Sequence, residues 1–467
     1  MGLLKAVLQP YKAIDRKVYT QDQAVKISEP PYAVIPLEYP GQILYMPEVK
    51  IGDLVRKNQI IGRSKFGHCI HAPFSGEIKD ILLIWTTSVY HVPAILILRN
   101  DDPPCSVNEI FEQFGIPFEA ASYRDKLKAL GVPTPWTRPG RFYQEADKDY
   151  PDIEKIVIYA ADEEPSIFVN DMLVAHYAEK LARGITHIRT ISPLAKIYLT
   201  VSENQKNLAE QEFGAEVTVC ALKKHYADRL ELLVVPQITD TPISPTAAFR
   251  SQGVARISAE FLIRMVDALE NCQPFTTKTI TVAGSGLAAP ITVEMPIGTT
   301  IRHLFTELQI DMTQVKRLIA GGPLKGIAQY TDLTPITKKD TGIYIMAESE
   351  LSEEPAGNCI NCGNCVRACP INLQIQLIGR CAEFEMLHET QKYHPDWCIG
   401  CGLCAYVCPA HRPLVQLIEM CNKYYGKDDE SSQQQIECSP HSALEKWDND
   451  LRNAETVVDM PAAGVHS

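Results

Sequence analysis

The sequence predicts a multidomain chain that mixes α+β and α/β layers, and three observations carry that prediction. Between about Asn108 and Asn271, strand-like and helix-like stretches alternate, the rhythm of a parallel, partly buried sheet. On either side, short apolar runs broken by Gly and Pro read as small β modules. Nearer the C-terminal end, cysteine recurs twice at the spacing C-x2-C-x2-C-x3-C-P, over Cys359–Pro370 and Cys398–Pro409. A chain of 467 residues has room for about three domains with cores of their own.

The two cysteine runs follow the two-cluster ferredoxin spacing, in which the fourth cysteine of each run ligates the other run's cluster. On that pattern Cys359, Cys362, Cys365 and Cys408 hold one [4Fe-4S] cluster, and Cys398, Cys401, Cys404 and Cys369 the second. Three thiolates two residues apart converge from one tight loop. Gly363 and Gly402 let the loop turn, since glycine carries no steric penalty at positive φ. Pro370 and Pro409 then end each loop. Structural zinc is the competing reading, but zinc fingers carry two cysteine pairs, not two four-cysteine runs that end in Cys-Pro.

The formal charge of −12 argues against nucleic acid, whose binding needs a concentrated basic face. No apolar run reaches the roughly 18 residues of a membrane span, so no transmembrane segment is expected. The start, MGLLKAVLQPYKAID, lacks the apolar segment of a signal peptide. Ala6 stands where myristoylation at Gly2 would need Ser or Thr. The seven cysteines outside the runs are scattered and odd in number, which suits reduced thiols in the cytoplasm.

Residues 1–28 read as an N-terminal arm with no clear period. Over 29–105, "VKIGDLVRKNQIIG" (Val49–Gly62), "HAPFSGEIKDI" (His71–Ile81) and "AILILRND" (Ala94–Asp101) predict an all-β domain. His68, Cys69 and His71 fall there, and without a fourth ligand they read as structural. Over 106–272, "EKIVIYAA" (Glu154–Ala161) and "AKIYLTVS" (Ala195–Ser202) are buried strands, and "VNDMLVAHYAEKLARG" (Val169–Gly184) is a helix that Gly184 stops. Residues 273–350 combine "KTITVAG", "ITVEMPIGTTI", "RLIAGGPLKG" and "TGIYIMA" with a helix over Ile301–Leu308, one helix on a small mixed sheet. Residues 351–421 hold the cysteine runs and close on a helix over Leu414–Asn422. The polar stretch 422–467 reads as a tail, with Cys438 and His441 as solvated residues.

This order resembles the C subunit of the Rnf electron-transport complex and the related cobalamin reductase, over about residues 30–420. "GDLVRKNQIIG", "GGPLKG" (Gly321–Gly326) and the paired cysteine runs carry the resemblance. It implies a barrel-sandwich hybrid, an α/β core like the flavoprotein subunit of respiratory complex I, a soluble-ligand-binding type β-grasp domain and a dicluster ferredoxin domain. Within the core, "YAADEEP" (Tyr159–Pro165) is similar to a family strand end, matching at Glu164-Pro165, and Asp171 stands at a later family aspartate. The family's Gly-rich flavin loop is replaced by "LGVPTPWTRPGR" (Leu130–Arg141), which keeps Gly131 but fills the loop with Pro133, Pro135 and Trp136. Proline removes an N–H donor and tryptophan fills volume a flavin ring would need, so the pocket is expected to hold neither FMN nor NADH.

Three functions follow. The first is an electron-transfer subunit that relays single electrons between partner redox subunits, a flavoprotein or membrane quinone-linked or ion-translocating subunits, at the cytoplasmic membrane face. No residue of the chain is then catalytic beyond the cluster thiolates. The second is a self-contained NADH:acceptor oxidoreductase with its own FMN, with Glu164 and Asp171 at the cofactor site. The third makes the Gly321–Gly326 turn a small-ligand sensor and the clusters structural.

Overall fold

The computed structural model describes residues 23–39, 43–87, 91–132, 153–241, 252–351, 355–425 and 438–458. Its first domain is two stacked four-stranded sheets. One orders Tyr32–Pro36, His91–Arg99, Gly76–Trp85 and Leu54–Val55; the other orders Glu38–Tyr39, Ile43–Pro47, Ile60–Ser64 and Cys69–His71. The sheets close on a core that includes Ile35, Leu37, Tyr45, Ile61, Phe74 and Ile78.

The α/β rhythm becomes a four-stranded, wholly parallel sheet in the order Thr218–Leu222, Lys196–Ser202, Lys155–Tyr159, Val254–Ser258. Parallel neighbours need crossovers, and helices supply them. The strand Lys155–Tyr159 lies second from one edge, with its successors placed on opposite sides of it. Its C-terminal end is therefore the topological switch point, where doubly wound sheets open a crevice.

The stretch expected as one helix ending on Gly184 is instead two helices, Val169–His176 and Ala178–Ile191. The chain breaks at Tyr177 (φ −126°, ψ 29°). Gly184 lies inside the second helix, where a β-carbon would stand 2.6 Å from Leu262 Cγ. It is a contact glycine that lets this helix press on Ala259–Asn271, not a stop signal.

A six-stranded mixed sheet follows, with the helix Ile301–Glu307 packed on it. Its edge strand, Val25–Lys26, comes from the segment read as a structureless arm and pairs in parallel with Ile291–Pro296. Ile27 is buried in the same core. The polar tail also departs from expectation. Ser439 N–H donates to the Ile81 carbonyl (2.8 Å), and Leu83 N–H donates to the Ser439 carbonyl (2.7 Å), which continues the first domain's sheet. The helix His441–Val458 then lays a fully buried Leu444 against Tyr32, Leu82 and Leu333. Asp448 accepts from Tyr32 Oη (2.7 Å) and Arg302 Nη1 (2.6 Å). Ala443, Leu444, Trp447 and Leu451 repeat at helical spacing, so a signal was present beneath the polar composition. His441, expected to be solvated, packs beside Tyr330 with ring centroids 5.8 Å apart.

Candidate iron–sulfur centre

Each cysteine run is a loop that turns through left-handed backbone into one short helix. In the first, Asn361 (φ 60°) and Gly363 (φ 73°) lead into Asn364–Ala368. In the second, Gly400 (φ 64°) and Gly402 (φ 77°) lead into Leu403–Tyr406. The two short helices pack against each other. That contact carries the last cysteine of each run across to the other loop.

Cys359, Cys362, Cys365 and Cys408 line one pocket of about 320 Å³, with Arg412 and Leu414 beside them. Arg412 is buried and paired with Glu383, a fixed positive charge at the pocket. Cys369 falls instead with Cys398, Cys401 and Cys404, close enough that Cys369 and Cys398 disfavour ionisation of Cys401 and Cys404. Among the described residues no three His, Cys, Asp or Glu side chains are placed to hold a single metal ion.

The sulfurs also meet peptide donors. Leu373 N–H donates to Cys369 Sγ (3.3 Å) and Gly400 N–H to Cys398 Sγ (3.4 Å). The amides of Val366, Leu403 and Ala405 favour the thiolates of Cys365, Cys401 and Cys404. Burial works the other way and pushes the Cys401 thiol up to about 11. Soft sulfurs around a pocket, with amides aimed at them, fit an iron–sulfur cluster, whose iron holds such thiols deprotonated.

The two groups differ in setting. Cys401 and Leu403 pack with Tyr226, Leu230 and Leu324, and Tyr226 Oη donates to the Cys401 carbonyl (2.9 Å). The second loop is thus seated on both the parallel-sheet core and the domain of the six-stranded mixed sheet. The first loop faces outward, with Ile360 63% exposed beside its cysteines.

Glu164 and Asp171 lie near the switch point but are not brought together. Glu164 accepts from Leu324 N–H (3.2 Å) and Lys325 N–H (2.6 Å), both in the Gly321–Gly326 turn. A β-carbon on Gly322 would stand 2.3 Å from Glu164 Oε2, so the turn closes on this carboxylate only because glycine is there. Burial pushes Glu164 up to about 7 against the pull of those two amides. Burial also acts upward on Glu163, but Lys325, which pairs with it, outweighs that and holds it low. Asp171 accepts from Ser202 Oγ (2.6 Å), and Asp162 accepts from the amides of Asn170 and Asp171 (both 3.1 Å), capping the Val169–His176 helix.

Arg229 was invisible to sequence reasoning. Its fully buried guanidinium donates to the carbonyls of Asp162 (2.8 Å) and Lys223 (3.2 Å) and to Ser202 Oγ (2.8 Å). It lies 4.0 Å from Asp171. The segment "HYADRLE" has no period that marks an inward arginine. Beyond the end of Lys155–Tyr159, the chain therefore meets Arg229 at the Asp162 carbonyl and the Gly321–Gly326 turn at Glu164. The replaced loop with Pro133, Pro135 and Trp136 lies outside the described residues. His68, Cys69 and His71 are buried at the edge of the first domain.

A family profile described as the RnfC barrel sandwich hybrid domain matches residues 11–102, and one described as a 4Fe-4S dicluster domain matches 352–409. The C subunit of a proton-translocating ferredoxin:NAD(+) oxidoreductase complex from Clostridium ljungdahlii is 24% identical, covering 81% of this chain and 84% of its own length. The C subunit of an ion-translocating oxidoreductase complex is 26% identical in Methanosarcina acetivorans, over 86% of this chain and 94% of that one. Its Rhodobacter capsulatus counterpart is 25% identical over 70% of this chain, which spans 65% of that relative's length.

The dicluster match and the grouped thiols together mark an iron–sulfur electron-transfer protein. Within that class the chain is RnfC-like. Among the described residues no helix is long and apolar enough to cross a membrane.

Proposed function

We propose that this chain relays single electrons through two [4Fe-4S] clusters between partner subunits of a membrane-associated, ion-translocating oxidoreductase complex. The observation that carries the reading is the crossing of Cys408 into the pocket of Cys359, Cys362 and Cys365, with Cys369 left beside the other three. When bound, such clusters supply one-electron oxidation and reduction.

The chain's own residues supply the rest. The short helices hold the two cysteine groups side by side, as a relay between them requires. Amides at Leu373, Gly400, Val366, Leu403 and Ala405 stabilise negative charge on sulfur and so set the potentials. Tyr226 and Leu324 fix the inner loop to the body of the protein, while the outer loop presents Ile360 to a partner. Redox subunits and membrane ion-translocating subunits are the partners this assigns, at the cytoplasmic face. The α/β core then serves as a scaffold on which the inner loop docks. The occupation of its crevice by Arg229, Leu324 and Lys325 supports that role over one in which Glu164 and Asp171 receive FMN and NADH.

The test is to purify the protein anaerobically, reconstitute iron and sulfide, and extract with acid. About eight irons per chain with no flavin, and no bleaching by NADH alone, is the expected result. Stoichiometric FMN with NADH-driven bleaching overturns the relay reading in favour of an NADH:acceptor oxidoreductase.

A further inference from the structure

Where the first domain meets the β-grasp domain, the structure leaves a small, partly enclosed pocket that shares no residue with the cysteine groups or the Gly321–Gly326 turn. Ile35, Ile70, Phe275 and Ile297 give it apolar walls, and three basic side chains line it, His71, Lys338 and Lys339.

Two of them are deeply buried, His71 at 4% and Lys338 at 9% exposure. Neither ring nitrogen of His71 makes a well-formed hydrogen bond among the described residues, although the Ala129 backbone lies near and the charges of Lys338 and Arg63 act on the ring. Lys338 donates to the Gly131 carbonyl (2.7 Å) and lies over the Phe275 ring, 5.3 Å from its centroid. Among the described residues no carboxylate pairs with it. Glu38, which also lines the space, is pushed above the usual carboxylate range by its burial and by Asp340, with Lys339 pulling the other way. Burying polar groups in this way is costly unless something satisfies them.

Gly131 shows how the two groups converge. Its φ is +68°, and a β-carbon there would stand 2.9 Å from Lys338 Nζ and 3.1 Å from His71 Nδ1. Both nitrogens therefore flank one stretch of bare backbone. The Cys69 carbonyl lies at the same place, and among the described residues two N–H groups of the lysine and one of the imidazole are left to offer, a donor set an oxyanion takes.

We propose that this cavity binds a small molecule carrying one oxyanion, a carboxylate or a phosphate, on a flat apolar body. Lys338 and His71 hold the oxyanion, and the body lies between Ile70, Phe275 and Ile297. Burial draws the Lys338 ammonium down to about 7, and an arriving anion restores its charge.

The experiment is isothermal titration of the full-length, cluster-loaded protein with benzoate and with phenyl phosphate. Inorganic phosphate and benzyl alcohol serve as controls that lack the body or the charge. One aryl anion should saturate at a single site per chain, and which of the two does so separates carboxylate from phosphate recognition. Both controls should bind at least about tenfold more weakly, and Lys338→Met should lower affinity by about tenfold or more, the scale of a charge-assisted hydrogen bond. His71→Phe keeps the volume and should weaken binding to a smaller degree, a second readout if Lys338→Met does not fold. The proposal is overturned if neither aryl anion saturates the wild-type protein. It is equally overturned if affinity is unchanged in whichever variants fold, as judged by cluster absorbance and circular dichroism.

Discussion

Gly402 and the carbonyl of Leu324 are in such close contact that a β-carbon on the glycine would stand 2.1 Å from the oxygen. This one contact seats the inner cysteine loop on the Gly321–Gly326 turn, which in turn rests on Glu164. It joins the 4Fe-4S dicluster domain, the six-stranded mixed sheet and the parallel-sheet core in a single stack.

Gly402→Ala should therefore unseat the loop. The substitution meets both the Leu324 carbonyl and a φ of +77°, and overpacking with backbone strain of this kind costs about 2–5 kcal/mol. The outer cysteine group makes no such contact. Electron paramagnetic resonance of the reduced variant should show one cluster signal lost or altered and the other kept. An unchanged spectrum and melting temperature would rule out this docking.

The crossed arrangement makes a distinct prediction about the fourth cysteines. Cys408→Ser should impair the cluster held by Cys359, Cys362 and Cys365, although it lies in the other run, and Cys369→Ser should impair the one held by Cys398, Cys401 and Cys404. Pairing each variant with loss of one loop cysteine checks this. Cys408→Ser combined with Cys362→Ser should lose about four irons, whereas Cys408→Ser combined with Cys401→Ser should affect both sites.

Glu164 supplies a pH dependence whose sign follows from its burial. Its folded-state pKa is about 7 against an ordinary 4.5, so the folded protein holds the proton more tightly than the unfolded chain. The resulting stability is fully present below about 4.5 and is lost as pH rises through 7, a change on the order of 3 kcal/mol. Glu164→Gln abolishes that titration. Melting curves should therefore favour wild type over the variant more at pH 5 than at pH 8, and an equal difference at both pH values would falsify the assignment.

The docked C-terminal helix predicts a cost where a solvated tail would have none. Leu444 is fully buried against Leu82 and Leu333, and Leu444→Ala should destabilise by about 2–5 kcal/mol. Limited proteolysis should then cut the chain near residue 438 faster than in wild type.

Much of the architecture was legible because its signals are local. Strand–helix alternation marked the parallel sheet, and the cysteine spacing marked two loops of three thiols each. The errors share a cause too. Gly184 looked like a helix stop because glycine often ends helices, yet only the approach of Leu262 explains it. Val25–Lys26 looked formless because two residues carry no period, and their partner strand lies far along the chain.

Spacing along the chain suffices to gather eight thiols into two groups with exchanged fourth members, since three sulfurs from one loop are a matter of neighbouring residues. Which group faces inward could not be read that way, nor that Glu164 holds a turn about 160 residues further on. The convergence of His71 and Lys338 on one cavity was equally hidden. Those outcomes depend on how separate domains press together in three dimensions, and burial of a charged or polar group is settled by that packing, not by its neighbours in sequence.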